Sequence, residues 1–110
     1  MPTVIPVADL RRSPNAALFE GGDEIGISMF VTRYAEEGEG PDLHLHPYPE
    51  AFVVEDGTAR FTVGEDEIEV DAGHVVVVPA ETPHAFKCVG GEVLRVVSVH
   101  PSPAVEQTDL

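Results

Sequence analysis

Most of the chain consists of short runs in which apolar and polar residues alternate, separated by turn-forming residues. The run IGISMFVTRY (25–34) leads into an acidic, glycine-rich loop, AEEGEGPD, and then come LHLH (43–46), EAFVVED (50–56) and TARFTV (58–63). EIEV (67–70), HVVVVPA (74–80), HAFKCV (84–89) and EVLRVVSVH (92–100) complete the series. Val, Ile, Phe and Thr dominate these stretches and glycines punctuate them, which predicts an all-β sandwich or barrel. Helical apolar periodicity is absent, apart from one candidate turn near Ala8–Arg12. The all-valine run Val75–Val78 reads as a strand buried on both faces. The first ~20 residues and the tail PSPAVEQTDL, with prolines at 2, 6, 14, 101 and 103, read as irregular arms that pack or fray.

Within this pattern, LHLH is unusual. Successive strand residues point to opposite faces, so His44 and His46 project one way and Leu43 and Leu45 the other. Leucines belong against an apolar layer, so the histidines must face a place that tolerates imidazole. Glu50 follows four residues after His46.

At 110 residues and 43% hydrophobic content the chain is one domain, without repeats, that can bury a modest core. It has no apolar run long enough to span a membrane, and the arginines near its start follow the apolar patch, the wrong order for a signal peptide. One cysteine, Cys88, excludes an internal disulfide framework and fits a reducing cytoplasm. Six Lys and Arg against 20 Asp and Glu give a formal charge of −14. That makes nucleic acid and anionic membrane poor partners, and solubility is the simplest reading of the acidity.

The histidines belong to a larger register. Gly38, five residues, His44-x-His46, three residues, Glu50, six residues and Gly57 form one motif. Fifteen residues later, Gly73, five residues, Pro79 and then His84 begin another. Together they resemble the two conserved motifs of the cupin family, over residues 25–99. The first motif matches at every defined position. The second departs twice, with Glu81 where the family has glycine and Cys88 where it has asparagine. The resemblance implies a double-stranded β-helix (jelly-roll) barrel holding one divalent transition metal per chain, through the Nε2 atoms of His44, His46 and His84 and the carboxylate of Glu50. Three imidazoles and a carboxylate suit Fe, Mn, Ni, Cu or Zn better than Mg or Ca, and a six-coordinate ion keeps two positions open.

Parity extends the site to its walls. If Glu50 points inward, so do Phe52 and Val54, and if His84 does, so do Phe86 and Cys88. A buried Cys88 is more often an inert small hydrophobe than a ligand or redox group. Tyr48, between two prolines, either reaches the cavity mouth or lies on a surface loop. His74 and His100 are set aside as ordinary surface or partly buried histidines. With no further base among the inward positions, the expected function is a metal-dependent dioxygenase of a small, neutral or aromatic, chelating molecule. A metal-dependent isomerase or lyase, or a non-catalytic binding module, is the alternative. The uncovered apolar stretch TVIPVADL and the family's habit of pairing through sheet faces or terminal strands make a homodimer the expected assembly.

Overall fold

The computed structural model describes residues 1–110. Ten strands run in chain order as β1 (Ala16–Glu20), β2 (Ser28–Tyr34), β3 (His44–Leu45), β4 (Glu50–Asp56), β5 (Thr58–Val63), β6 (Asp66–Asp71), β7 (His74–Val78), β8 (His84–Val89), β9 (Leu94–His100) and β10 (Thr108–Asp109). They form two five-stranded antiparallel sheets, ordered β1-β2-β9-β4-β7 and β10-β3-β8-β5-β6. This is the double-stranded β-helix that the motifs imply. A single turn of α-helix, Gly22–Ile25, and a short 3-10 turn, Val7–Leu10, are the only helical pieces, and no helix is long and apolar enough to cross a membrane.

The chain changes sheet between β4 and β5 within one residue, Gly57. Its φ is +79°, and a Cβ there would collide with the Val93 carbonyl oxygen, so only glycine fits the corner. Inward residues of both sheets meet in one apolar cluster that includes Phe52, Val54, Phe61, Phe86, Cys88, Leu94 and Val96. Phe52, Phe61 and Phe86 pack with ring centroids 5.2–5.6 Å apart, Phe52 lying edge-on to the other two. This aromatic layer fills one part of the barrel. Polar residues occupy the other.

Three readings of the sequence need correction. Val75–Val78 is not buried on both faces: Val78 is buried, whereas Val75 and Val77 are 61% and 65% exposed. β7 is an edge strand and the outer face of its sheet is uncovered at that end, so alternate valines look outward. The leucines of LHLH do not pack in an apolar layer either. Leu43 is exposed and Leu45 half-buried, while His44 and His46 point into the barrel. The parity is as expected, with the interior on the histidine side. β1, inside the stretch read as irregular, pairs with β2 from Ala16↔Thr32 to Glu20↔Ser28.

Glu81, at the position where the family motif has glycine, has φ of +60° and is the one non-glycine residue with positive φ. A side chain in the left-handed region costs about 1–2 kcal/mol, against roughly 0.5–1 kcal/mol of extra chain entropy for glycine. Glu81 is exposed and its backbone N–H bonds the His46 carbonyl at 2.8 Å, a bond that glycine keeps. Glu81→Gly should therefore stabilise the fold by up to about 1 kcal/mol. Denaturant unfolding, with an unchanged slope and a raised midpoint, would check this.

Candidate metal centre

His44 lies on β3 with His46 just beyond it, Glu50 starts β4, and His84 starts β8 directly opposite His44 in the sheet. The residues that begin and end strands thus gather at one end of the barrel, with Glu50 from one sheet and the histidines from the other. One ligand atom from each of the four lies within 4.8 Å of the others, and all four residues are buried.

Backbone carbonyls set the state of the three rings. His44 Nδ1 is 2.6 Å from the Asp42 carbonyl, His46 Nδ1 is 2.7 Å from that of Glu106, and His84 Nδ1 is 2.8 Å from that of Thr82. A carbonyl only accepts, so each Nδ1 carries the proton and each neutral ring presents a bare Nε2 lone pair to the interior. Two of them meet the Glu50 carboxylate, whose Oε1 is 3.0 Å from His84 Nε2 and 3.1 Å from His46 Nε2, and His44 lies in the same group of four. His46 Nε2 aims no N–H at any acceptor, so the short distance is not a well-formed hydrogen bond. Lone pairs facing lone pairs in a buried site need a cation between them, either a proton or a metal. The donor set fits a borderline divalent ion, and all four groups would be satisfied by it at once.

Where no metal is bound, protons fill this gap, and the electrostatics describe that case. Burial alone would raise the Glu50 pKa, but hydrogen bonding toward His100, His46 and His84 outweighs it and holds the carboxyl well below the usual range. Burial lowers His44. Burial also acts to lower His46, but the Glu50 carboxylate and the Glu106 carbonyl reverse the sign and raise it.

A fourth imidazole completes the cluster. His100, set aside on sequence, is 1% exposed, with Nε2 2.9 Å from Glu50 Oε2 and its ring 4.8 Å from that of His46. Its Nδ1 is 2.8 Å from the Tyr48 hydroxyl, which also accepts the Glu106 N–H at 3.2 Å. The arrangement that satisfies Tyr48 has its O–H donating to His100 Nδ1, which leaves the His100 proton on Nε2, beside Oε2 though off the ideal line. The signal that finds His100 is strand parity: Leu94, Val96, Ser98 and His100 alternate inward along β9, all of them buried. The C-terminal prolines that follow it obscured this.

A cavity of about 210 Å³ opens onto the cluster. Phe52 and Phe86 line it as parity requires, and Phe30, Thr32, Tyr34, Ser98 and Gln107 add walls that the sequence did not single out. Val54 and Cys88 face the same interior but lie in the apolar cluster, with the Cys88 thiol 3.4 Å from the Glu92 carbonyl. Tyr48 is half-buried and stacks on His46 at 5.1 Å between centroids. His74 is exposed, away from the site.

A protein-family model described as the cupin domain matches residues 30–100. The chain belongs to the cupin family. No curated protein matches it. Among solved structures, this cupin resembles an oxalate oxidase in complex with the substrate analogue glycolate, at 22% identity and a TM-score of 0.73, over 90% of this chain and 57% of that one. It also resembles the Lactobacillus farciminis oxalate decarboxylase formate complex, at 22% identity and 0.77, over 94% and 34% of the two chains. The oxalate decarboxylase from Bacillus subtilis gives 20% and 0.78, over 94% and 30%. The chain thus spans between about a third and somewhat over half of the length of these proteins. At such identities the likeness shows the cupin fold alone.

The cluster predicts a definite metal response. Metal-free protein titrated with Mn(II) or Zn(II) should take up one ion per chain and unfold at a higher temperature, because an ion that binds only the native state stabilises it by mass action. His84→Ala should weaken uptake by more than the roughly 10–100-fold that loss of a supporting hydrogen bond costs, while the β-type circular dichroism persists. Calorimetric titration of both proteins measures the difference.

Proposed function

We propose that this cupin binds one divalent transition metal through His44, His46, Glu50 and His84 and acts as a dioxygenase on a small organic molecule. The observation that supports this is the set of three Nδ1-protonated imidazoles aimed at one buried carboxylate, at the end of a small cavity with aromatic walls. When bound, such a metal supplies a Lewis-acidic centre with open positions for O2 and a chelating substrate. Both atoms of O2 enter the organic product and the substrate supplies the electrons, so no separate reductant is needed.

The chain's own residues do the rest. Phe30, Phe52 and Phe86 exclude water from the reacting region. Tyr34, whose hydroxyl pKa is raised by burial and by Glu39, together with Ser98 and Gln107, offers the polar contacts that orient a ligand. At about 210 Å³ the cavity lies below the usual ~300 Å³ of drug-sized pockets. Its occupant is therefore small. No Lys or Arg lines the space, unlike what a doubly charged acid such as oxalate calls for, which favours a neutral or singly charged chelator such as a diketone, catechol or thiol. A buried, unpaired Cys88 suits a reducing cytoplasm, where we place the chain.

A second reading has its own observation. His100 puts an imidazole in the same cavity, and proton transfer beside a metal is what an isomerase or lyase needs. Oxygen uptake by the Fe(II)-loaded protein against diketones, catechols and thiols separates the two, with uptake expected for at least one. Turnover of an oxo-acid or sugar under argon, with no oxygen uptake, moves the reading to isomerase or lyase. Tight ligand binding without turnover of either kind moves it to a binding module.

The assembly we propose is a homodimer. Cross-strand pairing places Phe19, Met29, Val99, Ala51 and Val77 in one row on the outer face of the β1–β7 sheet, and Ala17, Val31, Val97, Val53 and Val75 in the next. Ile5, Val7 and Leu10 of the N-terminal arm lie against the β1–β2 end of these rows. The β4–β7 end stays uncovered, with Val53, Val75 and Val77 exposed. A second copy laid over it buries both faces and shields the β7 edge. Light scattering at micromolar concentration should give twice the chain mass for the wild type and a folded monomer for Val77→Asp. A wild-type monomer with its arms intact would sink this assembly.

A further inference from the structure

We propose that the arm formed by residues 104–110 is part of the metal site, and that metal binding and docking of this arm favour each other. The inference rests on the metal reading above.

Of the three imidazoles, His44 and His84 take their carbonyl acceptors from residues two positions away in their own segments, Asp42 and Thr82. His46 does not. Its acceptor is the carbonyl of Glu106, sixty residues on, in the arm. The same residue's N–H donates to the Tyr48 hydroxyl, and Tyr48 both stacks on the His46 ring and bonds His100, which contacts Glu50. Two of the four candidate ligands are therefore oriented, directly or through Tyr48 and His100, by one residue of the arm.

The arm's hold on the barrel is slight. Beyond Glu106 it consists of the Ala104 carbonyl accepting from Ser102 Oγ at 2.6 Å, the Val105 N–H to Glu20 Oε2 at 2.9 Å, the Leu110 N–H to the Leu43 carbonyl at 3.2 Å, and the two-residue pairing of β10 with β3. Apart from Val105, residues 103–110 are exposed. The arm's start is well anchored, since Ser102 is buried and its carbonyl accepts from Ser28 Oγ at 2.8 Å. A segment with few contacts and exposed hydrogen bonds opens at low free-energy cost. When it opens, His46 Nδ1 loses its acceptor, and the tautomer and ring direction needed for an Nε2 lone pair are no longer held. The linkage is reciprocal: an ion that fixes His46 must also stabilise the docked arm. Tyr48, His100 and the Glu106 backbone act here as positioning groups, not as ligands.

The test uses Zn(II) as a redox-silent probe and backbone amide exchange on the full chain. In wild-type protein, saturating Zn(II) should slow exchange of the Glu106 and Leu110 amides about tenfold or more. Tyr48→Phe, which keeps the stacked ring and removes only the hydroxyl, should bind Zn(II) about 10–100-fold more weakly and lose that slowing, while its β-type circular dichroism in the metal-free state persists. A chain shortened after Ala104 should lose affinity to the same degree. If it does not fold, the exchange measurement on intact protein decides by itself. Zn(II) uptake with unchanged arm exchange, or a Tyr48→Phe affinity within twofold of wild type, overturns the coupling and leaves the metal site standing. No Zn(II) uptake by wild-type protein overturns both.

Discussion

The organisation of the site follows from one constraint: three imidazoles whose Nδ1 protons are committed to backbone carbonyls have only lone pairs left for the interior, and the group waiting there is a carboxylate. A small barrel cannot absorb that arrangement as ordinary core. Burying an ionised carboxylate costs several kcal/mol unless it is paired, and neutral imidazoles in this tautomer cannot pair it. A divalent cation would complete the polar end of the barrel. The aromatic layer of Phe52, Phe61 and Phe86 marks where ordinary packing takes over.

The two sheets share this burden unequally. Glu50 comes from β4, in the sheet whose outer face carries the long apolar rows, while His44 and His84 sit opposite each other on β3 and β8 of the other sheet. An ion held by all four would bridge the sheets at the end where β3 contributes only two residues to the ladder. The backbone pairing is thinnest there, so an ion held by these residues, with the arm that meets His46, would supply cohesion that hydrogen-bonded strands supply elsewhere.

Much of this was legible in the sequence, for a simple reason. Strand parity and motif spacing are properties of the backbone, so the inward direction of His44, His46, Glu50, Phe52, His84 and Phe86 needed no knowledge of packing. What escaped depended on context. Val75 and Val77 looked buried because composition records apolarity, and composition does not reveal whether a sheet face has a cover. β1 escaped because prolines and arginines precede it. His100 was missed although β9 alternates without a break, because its neighbours Pro101 and Pro103 suggested a frayed end. The Glu106 carbonyl was invisible in principle, since a backbone oxygen from a distant arm has no signature in side-chain identity.

His100 also bears on how the carboxylate can serve a metal. Glu50 Oε1 faces the Nε2 atoms of His46 and His84, whereas Oε2 faces the Nε2 proton of His100. A metal held by His46 and His84 would meet Oε1, the oxygen that lies beside both of their Nε2 atoms. Three nitrogens and one oxygen then leave a six-coordinate ion two positions short. A carboxylate binding through both oxygens would fill one of those positions. In that arrangement His100 would sit beside the second oxygen of Glu50 without contributing a ligand of its own.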